Sequence, residues 1–152
     1  MALPDIFSKE VSEEIIARIN KLSPDTPGKW GKMTVSQMLA HCSVTYEYIF
    51  ENRYKKPNMF MGFILKLMIK NLVVNEKPYK PGSPTAPDFI INDTRNFDNE
   101  KQRLIAFIRQ TQALGGAHFD GKVSHSFGAL NKTEWNNMFY KHLNHHLSQF
   151  GV

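Results

Sequence analysis

The chain has 152 residues, of which 41% are hydrophobic and 12% aromatic, and 19 Lys+Arg against 14 Asp+Glu give it a net charge of +5. That length suits one compact domain, and the apolar and aromatic content excludes a disordered polyelectrolyte. Cys42 is the sole cysteine, which excludes a disulfide-stapled scaffold and leads us to expect a reduced, cytoplasmic protein.

The first seven residues are followed by acids rather than by an apolar core, unlike a signal peptide. The first helix is expected from about Ser8 to Leu22, with Val11, Ile15, Ile16 and Ile19 at helical spacing. Glu10, Glu13 and Glu14 lie near its positive end, and the Pro- and Gly-containing run 23–28 stops it. Thr34-x-x-Gln37 predicts a capping box. The helix it opens carries Val35, Met38, Leu39, Cys42, Tyr46, Ile49 and Phe50 on one face.

A third helix is predicted over 58–73. The apolar run 59–74 is interrupted by Lys66, Lys70 and Asn71, and a membrane span needs about 20 apolar residues. No membrane partner is expected on that ground. Residues 34–82 hold seven bases and three acids, whereas the chain before them is neutral. That excess comes without a nucleic-acid-binding motif, so nucleic acid is not expected either.

Prolines at 78, 81, 84 and 87 mark a long loop, of the kind that covers one end of a helical domain. Asp98 is placed as the cap of the next helix, which ends at Gly115-Gly116. The loop 117–130 carries His118 and His125, and Asn131-x-x-Glu134 opens the last helix. Helices joined by loops, with almost no strand signal, predict an all-α fold with long Pro-rich and Gly-containing loops.

Five of the six histidines lie after residue 117. With Trp135 as origin and ~100° per residue, Met138, Phe139 and Phe150 set an apolar stripe near ~300°, ~40° and ~60°. On the same wheel His142 falls near ~340° and His146 near ~20°, inside the stripe, while His145 falls near ~280° at its edge. Two imidazoles turned into a core need polar partners. A divalent metal held by an i, i+4 pair meets that need, and so does structural hydrogen bonding. His41, on the flank of the second helix near ~240° from Val35, is the candidate third ligand. Cys42 is read as packing.

Met33-Thr34-x-x-Gln37-Met38-Leu39-Ala40-His41, with a His-x-x-x-His helix about 100 residues later, resembles the DinB/YfiT-like superfamily. The ending Lys141-His142-Leu143-Asn144-His145-His146-Leu147-x-Gln149-Phe150-Gly151 is similar to one uncharacterised branch of it. The resemblance implies an antiparallel four-helix bundle, chain-long from 1 to 152, binding one divalent metal through His41, His142 and His146. The His145-His146 doublet leaves His145 as an alternative to His146. The resemblance also implies transferases and isomerases that use low-molecular-weight thiols, and pairing of bundles into homodimers.

Zinc or nickel suits an imidazole set, and three ligands leave one position for a small substrate. Leu143 stands where a His-Glu-x-x-His protease carries its glutamate. His118 and His125 are the weak candidates for a general base. No Gly-x-Ser-x-Gly elbow or phosphate-binding Gly-rich loop is present in the sequence. The reading is a metal-dependent transferase or hydrolase acting on a small substrate, with a thiol as co-substrate. Its alternative is a non-catalytic helical protein with structural or metal-sensing histidines. A homodimer is expected through 59–73, the other option being that this helix is buried at the centre of a monomer.

Overall fold

A computed structural model describes residues 2–51 and 53–152. Ser8 caps α1 (Lys9–Asn20), its hydroxyl accepting from the Val11 amide, and Ile15, Ile16 and Ile19 are its buried face. The predicted capping box opens α2 (Val35–Phe50): Gln37 N–H donates to Thr34 Oγ1, and Thr34 N–H donates to Gln37 Oε1. Every residue of α2 from Met38 to Glu47 is buried, because the helix is packed against neighbours on more than one side.

The predicted third helix is two pieces, α3 (Met59–Met68) and α4 (Lys70–Val74). The chain breaks at Ile69, whose φ of −109° departs from helical geometry. Asn58 caps α3, yet α3 buries none of its residues. The option of a buried central helix is therefore wrong.

After the proline loop, Pro87–Phe89 forms a single 3-10 turn. The next helix, α5 (Phe97–Leu114), is capped by Asn96 and not by Asp98. Asn96 has the extended backbone of a cap and accepts from the Asn99 amide, while Asp98 sits in the first turn beside the positive helix end. Gly115 ends α5 at φ +74°, a conformation that glycine adopts without steric cost. A short α6 (Gly116–Phe119) follows. The loop beyond it contains a two-stranded antiparallel hairpin, β1 (Val123–Ser124) with β2 (Gly128–Ala129), in the register Val123↔Ala129. Finally α7 (Lys132–Gln149) opens on the second predicted capping box, Asn131 with Glu134.

Among the described residues the fold is thus helical apart from one small hairpin, with α1, α2, α5 and α7 packed around a shared core. Trp135, Tyr46, Phe119 and Phe139 are its largest buried side chains. Their rings stack or meet edge-on, Tyr46 lying nearly parallel to Phe139 at 5.1 Å and Phe119 meeting Phe139 at 5.5 Å. Each such ring buried contributes about 1.5–3 kcal/mol from apolar area alone.

Two of the buried charged side chains, Glu47 and Lys141, have several partners each. Glu47 on α2 receives Arg53 and Arg103 and the Tyr54 hydroxyl. Lys141 on α7 donates to the Leu72 and Asn75 carbonyls and to Asn75 Oδ1. Because those carbonyls close the end of α4, Lys141 fastens α4 to α7 where the helix dipole favours a cation.

Candidate metal centre

Three histidines meet between α2 and α7: the ligand atoms of His41, His142 and His146 lie within 4.8 Å of one another. His142 and His146 share a face because they are one helical turn apart. His41 arrives from α2 across the α2–α7 contact. His41 and His146 are buried and His142 is partly so.

The second nitrogen of each ring is held by the protein. His41 Nδ1 is 2.8 Å from the Phe89 carbonyl oxygen. A carbonyl only accepts, so Nδ1 carries the proton and the neutral ring keeps its Nε2 lone pair. His146 Nδ1 is 2.8 Å from Gln149 Oε1. Gln149 is oriented in turn by its amide nitrogen, which donates to the Trp30 carbonyl at 2.8 Å. His146 therefore also turns a bare Nε2 away from that contact.

His142 Nδ1 lies 3.1 Å from the Thr45 hydroxyl and its Nε2 lies 3.0 Å from His41 Nε2. Two bare nitrogens at that distance repel, so the His142 Nε2 proton fills the gap and Thr45 donates to Nδ1. Such a pair tolerates a proton or a cation between its nitrogens, and nothing else.

Charge on these rings is disfavoured. Burial lowers the pKa of His41, against the opposing effect of its bond to Phe89. Burial and then the neighbouring His146 and His41 hold His142 well below the usual histidine range. Burial and His41 push His146 down to about 3. At neutral pH all three are uncharged imidazoles, the form that binds divalent ions. Nitrogens on one tetrahedral zinc stand about 3.3 Å apart, so the set fits such an ion after a modest closure of its widest pair.

The cluster lies in the wall of a cavity of about 840 Å³. Leu65, Ile69 and Val73 form part of its apolar wall, and Thr85, Ala86 and Phe89 of the proline loop line another part. This loop is tied down twice: Phe89 O accepts from His41, and Tyr48 donates its hydroxyl to Asp88 Oδ2 at 2.8 Å.

The remaining candidates fall in different places. His145 lines the same cavity but is outside the cluster, held between Trp30 at 5.8 Å and Tyr79 at 5.7 Å. His125 also lines the cavity, its ring stacked on Tyr48 at 3.8 Å and its Nδ1 2.9 Å from Ser126 Oγ. His118 is absent from the cavity wall, exposed on α6 with Nε2 3.0 Å from Lys122 Nζ. Cys42 is buried against Met38 Sδ, and burial raises its pKa, so the thiol is inert packing.

Sequence reasoning overlooked Thr45, Gln149 and Phe89. Thr45 is four residues after His41 and Gln149 three after His146, so helical spacing places each beside its histidine's face. The Phe89 carbonyl, 48 residues from His41, had no such signal.

Fold and site together define a helical protein with a buried, neutral three-histidine cluster at the wall of a cavity. The family described as "Protein of unknown function (DUF1569)" matches residues 8–151, and the chain belongs to it. No curated protein and no solved structure matches the chain.

Proposed function

We propose that the protein is a DinB/YfiT-like four-helix bundle, formed by α1, α2, α5 and α7, that holds one divalent ion, zinc or nickel, on His41, His142 and His146. On this reading it is a metal-dependent transferase or hydrolase for a small substrate, with a low-molecular-weight thiol as co-substrate. The observation that carries the reading is the convergence of three neutral imidazoles, two of which have their Nε2 lone pair fixed by an acceptor at Nδ1.

When bound, the ion supplies Lewis acidity at a position the three protein ligands leave open. The chain's own residues do the rest. Phe89 O and Gln149 Oε1 hold their histidines in the ligating tautomer, and such outer contacts orient rings and raise their basicity. Thr45 serves both states, since its hydroxyl donates to His142 Nδ1 when Nε2 is protonated and accepts from Nδ1 when Nε2 ligates. The apolar part of the cavity wall would receive the apolar part of a small molecule. His125, stacked on Tyr48, lines the same cavity, and on this reading it is the residue that would accept a proton.

Elemental analysis of protein purified without a polyhistidine tag tests this. The expected result is about one equivalent of metal per chain, lost in His142→Ala. Metal-free protein, with stability unchanged in that variant, would leave the histidines a structural cluster.

A further inference from the structure

We infer that α3 docks the protein on an anionic membrane surface, lying on the bilayer rather than crossing it. No helix among the described residues is long and apolar enough to cross a membrane, and at ten residues α3 is about half the length a span requires. The sequence led us to expect no membrane partner, on the ground that no segment is long and apolar enough to span; that ground does not reach a helix lying on the surface. A helix that lies in the interface needs only an exposed apolar face and cations beside it.

Both are present. Met59 is 93% exposed, Phe60 73%, Phe63 61%, Leu67 66% and Met68 73%. At ~100° per residue these five side chains sweep about half the helix circumference, with Lys66 at one margin. This face is exposed to solvent, while Leu65, on the opposite side of the helix, contributes to the cavity wall. A contiguous apolar patch of this kind marks an interaction site.

Charge selects the occupant. Between residues 53 and 75 the chain carries five bases and no acid. Arg53 is engaged by Glu47 and Glu51, and Lys70 by Glu134. Lys55 and Lys56, in the segment leading into α3, and Lys66 on the helix remain exposed. A two-fold dimer through α3 would lay this patch on itself, since an isologous interface pairs identical surfaces. Cation would then meet cation with no acid in the segment to separate them. A bilayer rich in anionic lipid presents the opposite charge over an apolar interior, and juxtamembrane basic residues are drawn to it.

The inference does not depend on the metal reading, and its test separates the two. Purified protein is co-sedimented with vesicles of phosphatidylcholine alone and of phosphatidylcholine mixed with phosphatidylserine. The protein is expected to pellet with the anionic vesicles at least about tenfold more strongly than with neutral ones, and to be released by salt. Phe60→Ser with Phe63→Ser should weaken pelleting by about tenfold or more, and so should Lys55→Glu with Lys66→Glu. Their thermal unfolding should match the parent, since all four side chains are exposed. His142→Ala should pellet like the parent, whatever becomes of its metal. Equal partition to both vesicles, or none, overturns the inference. So does a two-chain species in sedimentation velocity that Phe63→Ser returns to one-chain mass, which would assign the face to a second copy.

Discussion

Two helical segments of this chain, one mixed in composition and one apolar, meet opposite fates. The α7 helix is mixed in composition, with Lys, Asn, Glu and three His among its residues, yet it buries nine of them, Lys141, Asn136 and Asn137 included. Met59–Met68 is apolar at nearly every position and buries none. Hydrophobicity alone therefore does not decide what enters the core. In α7 the buried Asn136, Asn137 and Lys141 each have a place to go: Asn136 Oδ1 accepts from the Ile6 amide, Asn137 Nδ2 donates to Val74 O, and Lys141 donates to three oxygens. Those contacts offset the desolvation of their groups and fix the rotation of α7 that turns His142 and His146 toward His41. Among the described residues no comparable hydrogen bonds tie the side chains of α3 to the core, and its apolar surface stays available for another surface.

The sharpest way to break this contrast is to make one substitution in both regions. Leu104, on α5, is wholly buried, so Leu104→Ala should cost about 2–5 kcal/mol from lost transfer energy and the cavity left behind. Chemical unfolding in urea measures it, and a loss below about 1 kcal/mol would mean the core is looser than its packing indicates.

Next in size is the assignment of ligands within α7. His146 belongs to the cluster, whereas His145 is clasped by Trp30 and Tyr79. His146→Gln should abolish tight metal binding, and His145→Gln should leave the stoichiometry of the parent, both read by elemental analysis and by calorimetric titration. The reverse outcome would move the site to the i, i+3 pair His142 and His145.

Acid provides the third test. The folded protein holds His41, His142 and His146 below their usual pKa, so on acidification the unfolded chain takes up protons first. Stability of the metal-free protein is therefore full above about pH 6.5 and falls as pH drops below it, because unfolding binds protons in that window. The urea midpoint should decline from pH 7 toward pH 5, and metal should leave over the same range. A midpoint indifferent to pH there would contradict the burial of neutral imidazoles.

How much of this was legible beforehand depended on sequence distance. Both capping boxes pair residues three apart, and Thr34 with Gln37 and Asn131 with Glu134 stand where the residue types place them. The faces of His142 and His146 followed from helical periodicity in the same way. Asp98 was the wrong cap because Asn96, two residues earlier, is equally suited chemically and only the backbone path chooses between them. The break at Ile69 has no proline or glycine to announce it. Glu47 with Arg103, Lys141 with Asn75, and His41 with Phe89 join residues far apart in sequence, which no local pattern can foresee. The exposure of α3 was hidden for a related reason: its composition says that it is apolar, and only the arrangement of the other helices says that nothing covers it.

Below the ligands in effect come the groups that orient them. Gln149→Leu leaves His146 Nδ1 without its acceptor and the Trp30 carbonyl without its donor. Thr45→Val removes the hydroxyl beside His142 Nδ1. Each should reduce metal affinity by about 10–100-fold without changing stoichiometry, the usual consequence of removing such a contact. Unchanged affinity in both would show that the rings are held by packing alone.

The smallest effect is expected where the sequence is most hydrophobic. Leu67 lies on α3 and is 66% exposed, so Leu67→Ala removes side-chain atoms that face mostly water and opens no cavity. Leucine and alanine are both good helix formers, and the Asn58 cap that starts the helix is untouched. The change in unfolding free energy should stay within about 0.5 kcal/mol, against several for the same replacement at Leu104. If Leu67→Ala instead costs as much as a core substitution, and the cost grows with protein concentration, then α3 is buried in solution by a second chain, and the contrast between the two segments belongs to the isolated chain only.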